Sequence, residues 1–365
     1  MRKKLLLAGF SLLACAASAV HADHLVAIAG PMTGQYASAG DQIRKGAEMA
    51  IADINAKGGV LGQKIKLEVG DDACDPKQAV SVANAMINKK IVFMHGHWCS
   101  SSTIPASDVY NESQIVMATV STNPQVTERG LKNIFRINGR DDQQGQVAGA
   151  YLADHFKGKK IAVVDDKSAY GKGLADEIAK AIEAKKVKVA LRESITAGEK
   201  DYSGLVSKLK SAGVEVMAYG GYHTEVALIL RQAQQAGLKL TVMGGDTMTN
   251  SELVTAAGAN ADNVLFTFVP DPRKNPGSAD IVKRFRDAKI EPEGYVMYAY
   301  AAMQLFAQAA EQAKSTKYAD LEKAMRGGAF DTVLGKLSFD AKGDNKLPGF
   351  VVYQWKGGKY DYVGK

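Results

Sequence analysis

Ile91-Val92-Phe93-Met94-His95-Gly96-His97-Trp98-Cys99-Ser100-Ser101-Ser102-Thr103 compresses a strand, a turn and a helix start into one short stretch. The first four residues are an apolar run of strand length, and a helix-like segment containing Pro105 follows the four hydroxyls. Hydroxyl side chains and the unpaired N–H groups of a helix start therefore gather where a strand ends. Such a place suits a small anion, because free donors and the helix dipole both favour negative charge. No nucleophile–base pair or metal cluster accompanies it. The stretch reads as a place to hold a carboxylate rather than to react with it.

Outward from this unit the strand–helix pattern repeats. Upstream, Leu25 to Ala29 reads as a buried strand. A helix follows, with Ile43, Ala47, Ala50, Ile51 and Ile54 on one face, ending at Gly58-Gly59. Ile65 to Val69 is the next strand, Pro76 to Ile87 the next helix, and Ile115 to Thr119 the strand after the hydroxyl run. A second series starts near residue 141. Its strands are 160–164, 187–191, 214–219, 240–243 and 264–269, and its helices are 170–184, 202–212 and 224–236. Helices over 279–288, 293–313 and 318–325 precede strand-like 334–339 and 350–355. Alternation of this kind predicts an α/β chain with two doubly wound, mostly parallel sheets. Val269-Pro270-Asp271-Pro272 and Lys346-Leu347-Pro348-Gly349 read as crossings between two similar lobes.

Residues 1–22 carry the marks of an export signal: Arg2, Lys3 and Lys4, an apolar stretch from Leu5 to Ala14, and Val20-His21-Ala22 as the cleavage site. The alternative is a lipoprotein signal, Leu12-Leu13-Ala14-Cys15, which would leave a lipid on Cys15. Cleavage after Ala22 lowers the formal charge from +7 by three, to a mildly basic balance spread along the chain. That pattern gives no reason to expect nucleic-acid or membrane binding. Cys74 and Cys99 then remain, an even count in an oxidising compartment that favours a bridge. Two buried free thiols are the alternative.

In open α/β sheets, ligands bind beyond the carboxyl ends of the strands. Those positions hold Gly30 to Tyr36, Trp98-Cys99-Ser100 and Val120 to Pro124 in the first series. In the second they hold Asp166 to Gly171, Gly220 to His223 and Gly244 to Thr247. Hydroxyls and N–H groups on one side, with aromatics and an acid on the other, suit a zwitterion. Duller readings stand beside this: hydroxyls as helix caps, tyrosines as half-buried packing, and Asp246 as a cap. His95 and His97 supply too few ligands for a metal site. Tyr170-Gly171-Lys172-Gly173 lacks the spacing of a nucleotide loop, and no G-x-S-x-G elbow occurs.

Gly70-Asp71-Asp72-Ala73-Cys74-Asp75-Pro76-Lys77-Gln78-Ala79 strongly resembles the periplasmic leucine/isoleucine/valine-binding proteins of ABC transporters. The likeness extends through Gly96–Thr103, Ile195–Asp201, Tyr219–His223 and Asp331–Gly335, and covers nearly all of the mature chain. It implies a type I periplasmic binding fold, two lobes joined by three crossings. The lobes are expected over residues 23–140 with 270–346, and 141–269 with 347–365. The resemblance pairs Cys74 with Cys99 and assigns the ligand carboxylate to Ser100 and Thr122. It gives the ammonium to Asp246 and a backbone carbonyl near Ser121. It closes the cleft with Tyr170 and Tyr222, and places Trp98 along the side-chain pocket with Tyr295 at its edge. Position 39, a tyrosine in the family, is Ala39 here, with Tyr36 three residues earlier. The usual glutamate is Asp246, and the segment before Thr122 is one residue shorter, with Val120-Ser121 in place of Pro-Ala-Ala.

These readings predict an exported, monomeric, non-enzymatic binding protein without cofactor or metal. It captures a free L-amino acid, leucine, isoleucine or valine by default, and delivers it to the membrane permease subunits of an ABC transporter. A ligand sensor for a signalling partner, a receptor for a larger aromatic or polar amino acid, and a periplasmic enzyme acting on amino-acid derivatives are the alternatives. An aromatic missing at position 39 is expected to enlarge the pocket.

Overall fold

The computed structural model describes residues 23–363. The export signal and Cys15 lie outside the described residues. Along the chain, β1 (His24–Gly30), α1 (Ala37–Ala56), β2 (Ile65–Asp71), α2 (Pro76–Asn88), β3 (Phe93–His95), α3 (Ser100–Glu112), β4 (Val116–Thr119), α4 (Gln125–Glu128) and β5 (Ile134–Arg136) build the first sheet and its covering helices. All five strands are parallel, in the order β2-β1-β3-β4-β5. Val26 aligns with Leu67 on one side and Phe93 on the other. Residues 26–29 are fully buried; helices cover both faces of such a strand, so it reads as a continuous apolar run.

The second sheet follows from α5 (Asp141–His155), β6 (Ile161–Asp165), α6 (Ala169–Ala184), β7 (Val189–Ser194), α7 (Ser203–Ala212), β8 (Val216–Gly220), α8 (His223–Gln235), β9 (Thr241–Gly244), α9 (Glu252–Ala257) and β10 (Val264–Phe268). Its parallel part runs β7-β6-β8-β9-β10, the same order as the first sheet. In each, the chain leaves the first-formed strand in opposite directions, opening a crevice at the carboxyl ends of β1 and β3 and of β6 and β8.

After β10, α10 (Ala279–Asp287), α11 (Val296–Ala313) and α12 (Tyr318–Gly327) return to the first sheet, followed by the hairpin β11 (Ala329–Thr332)–β12 (Gly335–Ser338). α11 lies directly on α1. A Cβ on Gly46 would stand 2.1 Å from the Val296 carbonyl oxygen, so only glycine permits that approach. β13 (Val351–Lys356) and β14 (Lys359–Tyr362) then add antiparallel strands to the second sheet.

Sequence periodicity missed three short strands. β5 is three residues long, β11 precedes the single strand expected at 334–339, and β14 is a largely exposed edge. β14 follows a two-residue turn in which Gly357 and Gly358 have φ of 56° and 77°, the twist a tight hairpin needs.

Candidate functional site

The turns after β3 and β4 bring Trp98, Ser100, Val120, Ser121 and Thr122 to one wall of a small closed cavity. The turns after β6, β8 and β9 supply Tyr170, Tyr222, Asp246 and Thr247, and Tyr295 comes from the turn before α11. The cavity's free space is about 10 Å³, room for roughly one water, so the walls are closed onto one another. A larger hollow lies where the chain passes between sheets, beside Asn138, Arg140, Pro270, Asn345 and Pro348. Its cations are already paired, Arg140 with Asp344 and Lys342 with Glu128, so the smaller cavity holds the chemistry.

The hydroxyl run is not a set of caps. Ser100 faces the cavity. Ser101 Oγ accepts from the Ala169 N–H at 3.2 Å, across the cleft. Thr103 Oγ1 donates to the His97 carbonyl at 3.0 Å. That carbonyl also accepts from Thr119 and Ser121, so three hydroxyls from separate segments lock the turn. The single Ser121 hydroxyl proton is shared between that carbonyl and the Trp98 carbonyl at 2.9 Å; Ser121 thus braces the loop with its side chain. Its own carbonyl accepts from Arg136 at 2.9 Å, while the Val120 carbonyl accepts from Asn138 at 3.1 Å. Among the described residues, the Thr122 N–H donates to no protein group. This wall therefore offers unspent donors at the start of α3 and in the loop after β4.

Neither histidine reads as a metal ligand. His95 is fully buried against the Ala118 carbonyl, and burial lowers its pKa to about 4. His97 Nδ1 meets Asp72 Oδ2 at 2.5 Å, both side chains fully buried. Asp72 also accepts from the Cys74 N–H. Cys74 and Cys99 form a disulfide, with Cα atoms 5.5 Å apart, so the end of β2 is stapled to the residue before Ser100.

Asp246 dominates the opposite wall. It is 1% exposed and accepts from Tyr295 at 2.7 Å, Asn138 at 2.9 Å, Tyr170 at 3.0 Å and Gln144 at 3.4 Å. Burial raises its pKa and these four donors oppose the rise. All four are neutral, so the carboxylate has geometry but no counter-charge. Gly245 makes room for this: a Cβ there would stand 2.2 Å from the Tyr170 hydroxyl. Asn138 and Gln144 were not singled out in the sequence. Asn138 sits on a crossing, a position that could have flagged it; nothing local marks Gln144.

The aromatics enclose the middle. Trp98 packs edge-on to Tyr295 at 5.5 Å and against Tyr222 at 5.1 Å, and Tyr170 meets Tyr222 at 5.3 Å. Tyr36 packs at a tilt against Tyr222 at 4.4 Å and donates to Glu225 at 3.2 Å, sealing the site from outside without lining it. Ala39 is buried in α1 and is not on the cavity wall. Its small side chain therefore does not widen the space; the aromatic cover comes from Tyr36. Further contacts hold the cleft shut, among them Asn123 Nδ2 to the Ala169 carbonyl at 2.6 Å and Ser38 Oγ to Glu252 at 2.5 Å.

A family model described as periplasmic binding protein matches residues 25–359. The chain belongs to this periplasmic binding protein family. It is 51% identical to a Leu/Ile/Val-binding protein homologue of Brucella melitensis, over 99% of both chains. It is 43% identical to a leucine-, isoleucine-, valine-, threonine- and alanine-binding protein of Pseudomonas aeruginosa, over 96% of this chain and 93% of the other. A solved leucine-binding protein from Thermotoga maritima superposes with a TM-score of 0.85 at 26% identity, covering 93% of this chain and 98% of that one. The type I periplasmic binding fold expected from the sequence is thus the fold observed, and the family places the chain outside the cytoplasm. No helix among the described residues is long and apolar enough to cross a membrane.

Proposed function

We propose that this protein captures one free L-amino acid, with leucine, isoleucine or valine the first candidates, and presents it to the permease of an ABC transporter. One observation carries the reading. A buried carboxylate with only neutral partners, Asp246, lies across a small cavity from the unspent donors of Ser100 and Thr122. A buried charge is costly until it is paired, and an α-ammonium is the partner that also delivers a carboxylate to the other wall. Ser100 and Thr122 hold that carboxylate, and Asp246 with the Val120 carbonyl receives the ammonium. Trp98, Tyr222 and Tyr295 pack on the side chain.

Two lobes, 23–140 with 270–346 and 141–269 with 347–365, swing about the three passages between sheets. Ligand held by one lobe draws in the other, and the permease reads the closed form. The chain reaches its compartment by cleavage after Ala22, and it binds without turnover. A thermal-shift screen of refolded, ligand-free protein against the twenty amino acids, followed by calorimetry, tests this. A large rise in melting temperature with at least one branched-chain amino acid is expected. No rise with any free amino acid overturns it.

A further inference from the structure

Arg136 lies at the end of β5, is fully buried, and does not line the cavity. Every arm of its guanidinium is nonetheless committed to the binding loop or its support. Nη1 donates to the Ser121 carbonyl at 2.9 Å and to the Asn123 carbonyl at 2.8 Å. Nη2 donates to Thr127 Oγ1, and Nε to Asp344 Oδ1 at 2.7 Å. The intervening Thr122 carbonyl accepts from the Asp141 N–H at 2.9 Å. Four successive carbonyls, from Val120 to Asn123, are thus tied to donors between residues 136 and 141.

The consequence follows from peptide geometry. In a trans peptide the carbonyl oxygen and the N–H of the next residue point in opposite directions. Holding the Ser121 oxygen back toward Arg136 therefore aims the Thr122 N–H away from it. That N–H is the one without a protein partner. Asp344, which anchors the far side of the guanidinium, sits just before the third passage between sheets and also accepts from Arg140 at 2.8 Å, on the first passage. The orientation of the binding loop is thereby tied to the segments about which the lobes move.

We propose that Arg136 is the positioning residue for carboxylate recognition, setting the direction of the Thr122 N–H and linking it through Asp344 to the hinge. This rests on Ser100 and Thr122 forming the carboxylate site. A lysine cannot replace it, because one ammonium cannot grip two carbonyls and an acid in a fixed plane.

The test compares calorimetric affinities for L-leucine and L-leucinamide, which keeps the ammonium and side chain but lacks the carboxylate. In Arg136→Lys, leucine affinity should fall about tenfold or more, the scale of a lost charge-assisted bond. Leucinamide affinity should change less than about threefold, within the scatter of a neutral contact. A residue that only supports the fold would weaken both ligands alike, so an unchanged leucine-to-leucinamide ratio overturns the proposal. Asp344→Asn leaves Arg136 in place and serves if the first variant does not fold. It should narrow the same ratio by a smaller factor, and an unchanged ratio there overturns the proposal equally. The double variant Ser100→Ala, Thr122→Pro, which removes the Ser100 hydroxyl and the Thr122 N–H, separates the two levels. If it collapses the ratio while the Arg136 and Asp344 variants leave it intact, only the Arg136 role fails. If the double variant also leaves it intact, the carboxylate site itself is misplaced.

Discussion

Replacing Asp246 with asparagine removes one charge and almost no volume from the cavity wall. In the folded protein that charge is 1% exposed and supported only by neutral donors. A ligand ammonium about 4 Å away interacts with it by roughly 4 kcal/mol at an effective dielectric constant near 20. Losing that term corresponds to about a thousandfold in the dissociation constant. The ligand-free protein should respond far less. Burial raises the pKa of Asp246, so its ionised form costs folding free energy at neutral pH; a neutral amide relieves that cost but turns a donor toward two of the four donors that Asp246 now satisfies. The two effects oppose each other, so the variant should melt close to the parent without ligand, yet bind far more weakly. Calorimetry at pH 7 with L-leucine, L-isoleucine and L-valine, paired with calorimetric melting of the ligand-free proteins, reads both effects. An affinity loss under tenfold for the best ligand would refute the assignment of Asp246 to the ammonium.

Three further outcomes are expected. Changing Cys74 and Cys99 to serine opens a 25-residue loop closure, about 3.5 kcal/mol on the chain-entropy estimate. The lobe carrying it should melt roughly 7–14 °C lower; a shift under about 2 °C would remove the staple's importance. Ser101→Ala deletes one bond across the cleft, worth about 0.5–1.5 kcal/mol; stopped-flow should find the loss in the dissociation rate, and a loss confined to association would contradict a clasp role. Asp166 is held up to about 6 by burial, so its cost to folding is present at pH 7 and is relieved as pH falls through 6. Its share is about 1 kcal/mol of added ligand-free stability at pH 5. Asp166→Asn should flatten that rise in thermal melts between pH 7 and 5, and an unchanged slope would discount it.

The α/β architecture was legible because its determinants are local. Residues 26–29 and 161–164 are buried runs and look apolar along the sequence, while the helix carrying Ile43, Ala47 and Ala50 repeats with the period of one face. The placement of Ser100, Thr122, Tyr170, Tyr222 and Asp246 at strand ends was equally readable, since the topology alone brings strand ends to one crevice. What escaped is non-local. Tyr36 covers the site from three residues before Ala39. Arg136 reads as an ordinary charged residue until the tertiary structure buries it under Ser121 and Asn123. Asn138 and Gln144 owe their roles to Asp246, more than a hundred residues away in the chain. β5, β11 and β14 are too short for any periodicity to mark them.

The seating of α11 on α1 has a consequence for biosynthesis. The face of α1 that carries Gly46 is closed by a helix made more than two hundred residues later. At about 5–20 residues per second, the ribosome leaves that face uncovered for roughly 10–50 s. The N-terminal core cannot finish during that interval, whatever its local propensities. A nascent chain of this design stays threadable for most of its synthesis, the condition required of a polypeptide that must pass a translocation pore before it folds.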